Sequence, residues 1–186
     1  WGSDGFRTVA FLEYHARYAM MRSADYGEPF VKAAEQELAR KLPPEHPLRL
    51  EIMGDLVQIA LNRGRYDDAL SYGSQIIDTI RELEGPTAAR LYGNMGMQSV
   101  AASAAGELEY AEELVRGIFD VLDANPQIPP PFRAMNHEQL ANVLLRMGRI
   151  GEAESELRIA LATMEGTPQE DIRWAIIRSR LAHVLS

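Results

Sequence analysis

The stretch Gly64-Arg65-Tyr66-Asp67-Asp68-Ala69-Leu70 recurs, degraded, as Gly106-Glu107-Leu108-Glu109-Tyr110-Ala111-Glu112 and as Gly148-Arg149-Ile150-Gly151-Glu152-Ala153-Glu154. Both steps, from Gly64 to Gly106 and from Gly106 to Gly148, are 42 residues long. The same register joins Ala69, Ala111 and Ala153, then Ile77, Phe119 and Leu161, then Ile80, Leu122 and Met164. Several sets in one period are a repeat, and a repeat limits the fold more than composition does. Each unit is one supersecondary element that buries its apolar face only against its neighbours.

Apolar residues at helical spacing precede the first glycine (Leu56, Ile59, Ala60) and follow it (Ala69, Leu70, Ile76, Ile77, Ile80). That pattern is a helix, a tight turn and a second helix. Gly supplies the positive φ that ends the first helix without steric cost, and the small Ala lets two backbones approach. The unit resembles the tetratricopeptide repeat, with Gly64 at the turn, the aromatic Tyr66 two residues on and the small Ala69 five on. Its length, and the ending Arg81-Glu82-Leu83-Glu84-Gly85-Pro86, are similar to the kinesin-light-chain variety of that repeat. The resemblance implies an all-α, right-handed α-solenoid of antiparallel helical hairpins with about nine helices. The units fall at about 5–41, 48–83, 87–123 and 132–164, with a partial unit at 169–186.

Along the chain, residues 5–22 read as a helix, Ala24-Asp25-Tyr26-Gly27-Glu28 as a degenerate turn, and a helix from Pro29 to about Lys41 follows. Leu42-Pro43-Pro44-Glu45-His46-Pro47 is a rigid connection, since proline bars helix interior. The second unit has helices at about 48–63 and 66–83. The third opens on a helix that contains both Gly93 and Gly96, which cost it roughly 1 kcal/mol each relative to Ala. Small residues there serve close packing of neighbouring helices; the rival reading is a hollow that admits a ligand side chain. Its second helix runs from about Glu107 to Asp123. Pro129-Pro130-Pro131 fills the place of an inter-unit loop. The fourth unit has helices at about 132–147 and 150–164, and a ninth helix starts near Gln169.

The net charge of −8 is unevenly placed. Residues 51–130 carry five basic against thirteen acidic side chains, whereas the segments on either side are balanced. Nucleic acid needs a basic face, so this segment is read as binding none. No apolar run is long enough to span a bilayer, so no membrane partner is expected. Absent cysteines exclude disulfides and thiolate metal sites. The basic residues are Arg apart from Lys32 and Lys41, a bias that points to a bacterial source. The chain opens on Trp1 without an initiator Met, and the expectation is a segment of a longer, cytoplasmic protein.

No pattern carries catalysis, a metal or a cofactor. His137-Glu138 opens like a zinc-protease motif, but the second His would fall at Ala141. The histidines His15, His46, His137 and His183 stand apart, none with an acidic residue three away as in helical di-iron sites. Asp67-Asp68 and Glu112-Glu113 are adjacent on helices and point to different faces. The chain is therefore read as a non-enzyme.

Tetratricopeptide repeats bind a protein or peptide in a groove lined by the first helices of successive units. The resemblance places on that groove Tyr14, His15 and Tyr18, then Asp55, Gln58 and Asn62, then Met97 and Val100, then Glu138, Gln139, Asn142 and Arg146. Asp55 and Glu138 stand where carboxylate-clamping members carry cations, which argues against that activity. The function expected is a protein–protein interaction module or scaffold. The alternative is a regulatory sensor domain of a multidomain bacterial regulator that takes an effector or signal peptide. The last helix carries Trp174, Ile177 and Val184 among many apolar residues, and an exposed patch there predicts self-association through it.

Overall fold

The computed structural model describes residues 24–165 and 172–185, and the helix expected at 5–22 lies outside them. The described residues form eight α-helices and no strand. Two compact units divide the chain after Gly85.

Unit 1 holds α1 (Ala24–Lys41), α2 (Pro47–Asn62) and α3 (Tyr66–Glu84). Val31, Ala34 and Leu38 of α1, with Leu42 beyond it, pack with Ile52, Leu56 and Ile59 of α2 into one core. From Leu42 to His46 the proline connection stays non-helical. Pro47 occupies the first helical position, where its missing N–H costs nothing, and the Leu48 N–H donates to Nδ1 of His46 at 3.3 Å. One expectation fails here. The degenerate turn at Ala24–Glu28 is already helix, so Pro29 lies inside α1. The loss of one backbone hydrogen bond is offset by what the helix does with Glu28, which is buried. Its carboxylate takes Lys32 at 2.8 Å, Arg65 at 2.7 Å and Arg63. A helical backbone is needed to put Lys32 one turn from Glu28.

Unit 2 holds α4 (Leu91–Ala105), α5 (Leu108–Ala124), α6 (Pro130–Arg146), α7 (Ile150–Thr163) and α8 (Ile172–Val184). The chain enters α6 two residues earlier than the sequence reading placed it, because Pro129-Pro130-Pro131 leads into the first turn of a helix rather than crossing a loop.

The repeated turn has one geometry wherever it occurs. Gly64, Gly106 and Gly148 have φ of 67°, 92° and 75°. The residue after each glycine donates its N–H to a carbonyl five positions back, Arg65 to Ala60, Glu107 to Ala102 and Arg149 to Leu144, each at 2.9 Å. This is the Schellman closure, which a left-handed residue permits and which satisfies carbonyls that the helix end leaves open. Ala69, Ala111 and Ala153 are fully buried, as a small residue at a close helix approach requires. Ile80, Leu122 and Met164 are buried as well, whereas Phe119 and Leu161 are only partly so.

The expected exposed patch at Trp174, Ile177 and Val184 is not there. Trp174 and Ile177 are buried and Val184 is half-buried, because α8 packs on α7.

Candidate functional site

In unit 2 the first helices of successive hairpins are α4, α6 and α8, and their side chains bond directly to one another. Between α4 and α6, Gln139 Nε2 donates to the Gly96 carbonyl at 3.0 Å and to the Ser99 hydroxyl. Arg146 Nη1 donates to the Ser103 hydroxyl at 2.7 Å and to the Ser103 carbonyl. Near the helix starts, the Tyr92 and Phe132 rings meet edge to face, 5.5 Å between centroids at 87°, and the Tyr92 hydroxyl donates to the Phe132 carbonyl at 3.3 Å. Burial pushes the Tyr92 phenol up, with nearby Arg173 pulling the other way. Between α6 and α8, Arg180 lies 2.9 Å from the Glu138 carboxylate and donates to Asn142 Oδ1. Arg173 stacks over the Phe132 ring at 5.6 Å, a cation–π contact.

The Gln139–Ser99 and Arg146–Ser103 pairs border a cleft of about 260 Å³ between α4 and α6. Val100, Ala104 and Val143 give it apolar walls, and Ser99, Ser103, Gln139, Asn142 and Arg146 give it polar edges. Val100 is 52 % exposed and Arg146 is also exposed, so an apolar surface and a cation both face solvent at the cleft. Small side chains on α4 make the room. The hollow is not at the two glycines. A Cβ at Gly93 would meet nothing within 4 Å, and one at Gly96 would touch only the Gln139 amide oxygen, at 4.0 Å. Close packing, the reading favoured from sequence, therefore does not account for Gly93. Among the glycines of this unit the tight contact is at Gly117 of α5, where a Cβ would stand 2.9 Å from Met95 Cε.

Of the residues placed on the groove from sequence, Val100, Gln139, Asn142 and Arg146 line this cleft. Met97 is half-buried and does not line it. Glu138 is held by Arg180. In unit 1, Asp55 is half-buried, while Gln58 and Asn62 are exposed on α2 and bond to each other at 3.0 Å. Tyr14, His15 and Tyr18 lie outside the described residues. Sequence reasoning missed Ser99, Ser103, Ala104, Val143 and Arg180. The repeat held a signal for two of them: Ala104 stands 42 residues before Arg146, and Arg180 stands 41 after Gln139. Among the described residues no group of His, Asp and Glu is gathered to hold a metal ion, and no helix is long and apolar enough to cross a membrane.

No protein-family model matches the chain, and no curated protein matches it in sequence. Solved structures do match it. A kinesin light chain-like protein of Podospora anserina with nearly identical TPR-like repeats superposes with a TM-score of 0.80 at 19% identity, over 97% of this chain and 86% of that one. The apo form of RapI gives 0.81 at 14% identity, over 95% of this chain and 62% of that one. BtubC (BKLC) of P. vanneervenii gives 0.74, over 97% and 82%. The fold is thus that of tetratricopeptide-like helical repeats.

Proposed function

We propose that this chain is a protein-interaction module, and that the face formed by α4, α6 and α8 docks an extended segment of a partner protein. A fold of stacked helical hairpins presents a continuous surface of first helices, which is suited to a partner chain rather than to a small closed pocket. The observation that carries the reading is the cleft between α4 and α6, where exposed Val100 and exposed Arg146 offer an apolar anchor and a cation side by side. Met135, Ile172 and Ile176 are further large apolar side chains left exposed on the first helices. The direct bonds from Gln139, Arg146 and Arg180 fix the spacing of these helices, so the surface is ordered before a partner arrives, which lowers the entropy cost of docking.

The test is selection of displayed peptides on the purified chain, followed by titration of the recovered peptides against the double variant Val100→Asp, Arg146→Glu. Both residues are exposed; because Arg146 also bonds to Ser103, the single variant Val100→Asp is titrated alongside, and circular dichroism checks that each variant keeps the fold. Loss of binding by about tenfold or more is expected. Peptides that bind the variant as tightly as the parent would remove the function from this face.

A further inference from the structure

The charges of unit 2 are sorted between its first and second helices. The first helices α4, α6 and α8 carry five arginines and one carboxylate, Glu138. The second helices α5 and α7 carry eight carboxylates and two arginines. A chain of net charge −8 therefore offers cations to a partner that meets its first helices. The repeat does not demand this sorting. In unit 1 the corresponding helix α2 carries Glu51 and Asp55 against Arg49.

Some of these arginines are already matched. Arg133 pairs with Asp123 of α5 at 2.6 Å. Arg180 pairs with Glu138 at 2.9 Å, which neutralises the one carboxylate of the first helices. Arg146 differs. Its Nη1 donates to the Ser103 hydroxyl at 2.7 Å and to the Ser103 carbonyl, both neutral groups. Among the described residues no carboxylate pairs with it. The bonds to Ser103 fix the guanidinium at the cleft through one nitrogen and leave Nε and Nη2 for another group. Those two N–H donors are parallel and match the two oxygens of a carboxylate. Beside them Val100, Ala104 and Val143 give the cleft its apolar walls. We propose that the segment docked on this face is acidic: an Asp or Glu side chain is taken by Arg146, and a neighbouring aliphatic side chain enters between Val100 and Val143. This rests on the docking reading above and adds the chemistry of the partner. The carboxylates of α5 and α7 act in the same direction, because like charge repels an acidic segment from the second helices and leaves the first helices as its landing face.

The test is a pair of selections from one displayed random-peptide library, on the parent chain and on Arg146→Glu, with folding checked by circular dichroism. Peptides from the parent should carry Asp or Glu next to Leu, Ile or Val more often than the unselected library does. Those from Arg146→Glu should carry Lys or Arg in that place. A synthetic peptide of the parent consensus is then titrated by fluorescence anisotropy. Its affinity should fall about tenfold when its carboxylate is replaced by the amide. Arg146→Gln should cost about as much, and the two losses combined should not add, as for groups that touch. Arg146→Lys, which keeps the charge and loses the fork, should restore part of the affinity. Peptides that need Val100 but show no acidic preference, or losses that add in full, would overturn this assignment and leave the docking face standing. Peptides indifferent to Val100→Asp, or a library that yields no binder, would remove the face and this assignment with it.

Discussion

Unit 1 and unit 2 brace their hairpins with the same ionic device and fill their first helices in opposite ways. In unit 1, Glu28 takes Lys32 one turn on at 2.8 Å and Arg65 at the next hairpin turn at 2.7 Å, and Arg65 reaches Asp68 at 3.2 Å. In unit 2, Glu112 takes Arg116 at 2.7 Å and Arg149 at 2.5 Å, and Arg149 reaches Glu152 at 2.6 Å. Each residue of the second set stands 84 positions after its counterpart, two repeat periods. At the step between, the register holds Leu70, Ser74, Glu107 and Tyr110, which cannot reproduce the pairing of opposite charges. The apolar positions repeat every unit because every hairpin must bury its contact. The ionic positions repeat every second unit because a half-exposed brace adds to stability without being required for closure.

The first helices differ for a reason that bears on function. In α2, Ile52, Leu56, Val57 and Ile59 are buried bulky residues that fill the space against α1 and α3. In α4 the buried positions include Gln98, Ser99, Ala101 and Ala102. Small and polar side chains leave room and hydrogen-bonding atoms, and α6 uses them: Gln139 and Arg146 bond to Ser99 and Ser103. Shared turns and braces are the scaffold; in unit 2 the small and polar side chains of α4 line the cleft.

The largest expected effect separates the two braces. Glu28 is 5 % exposed and gathers three cations, with Arg63 as the extra one; 84 residues on from Arg63 stands Met147, which brings no charge. Glu28→Ala should cost about 2–3 kcal/mol, and Glu112→Ala about 1–2 kcal/mol, because the Glu28 carboxylate is the more buried and three cations rather than two lose their partner, while solvent screens the more open Glu112. Urea denaturation of both variants measures this. Equal losses would erase the distinction between the units.

A second, smaller effect is in acid. Burial alone would raise the Glu28 carboxyl, but the hydrogen bonds and charges of Lys32 and Arg65 outweigh it and hold the group below its ordinary value of 4.5. Glu112 is lowered in the same way, burial being outweighed by Arg116 and Arg149. A group whose folded pKa lies below the unfolded one binds fewer protons folded than unfolded, so stability rises with pH through that window. Its contribution is complete above about pH 4.5 and is lost as pH falls through the folded value. Stability measured from pH 6 down to pH 3 should therefore fall, and fall less steeply in Glu28→Gln and Glu112→Gln. Parallel curves for parent and variants would assign acid sensitivity to other carboxylates.

The smallest effect tests the first helices. Gly93 of α4 has open space where a Cβ would stand and no positive φ. Gly93→Ala should stabilise by about 0.5–1 kcal/mol through helix propensity and a less free unfolded chain. A loss in melting temperature would show that small size at Gly93 is needed by the fold after all.

Several features were legible because their physics is local. A glycine after a helical run ends the helix wherever it stands, so Gly64, Gly106 and Gly148 gave away the turns, and the small residue five on gave away the close approach. Four of the groove residues named from the repeat line the cleft in unit 2, since equivalent positions of equivalent helices face the same way. Where the reading failed, it weighed a local signal against a distant partner it could not see. Tyr26-Gly27 and Pro29 look like a turn, but Glu28 is drawn into a helix by arginines 35 and 37 residues away. Trp174 and Ile177 look like surplus apolar residues, but α8 buries them and leaves Ala175, Ala182 and Leu185 outside.

By itself the sequence determined that this chain is a helical repeat, where its hairpins turn and that a small residue stands five positions after each turn, because periodicity and backbone sterics act within one unit. Only the tertiary structure decided which side chains of different hairpins bond across α4, α6 and α8, how much space Ser99, Ser103 and Ala104 leave open, and which stripe of α8 is buried against α7. Those outcomes depend on distances between helices about 40 residues apart in the chain, and a period fixes which positions recur without fixing what stands opposite them.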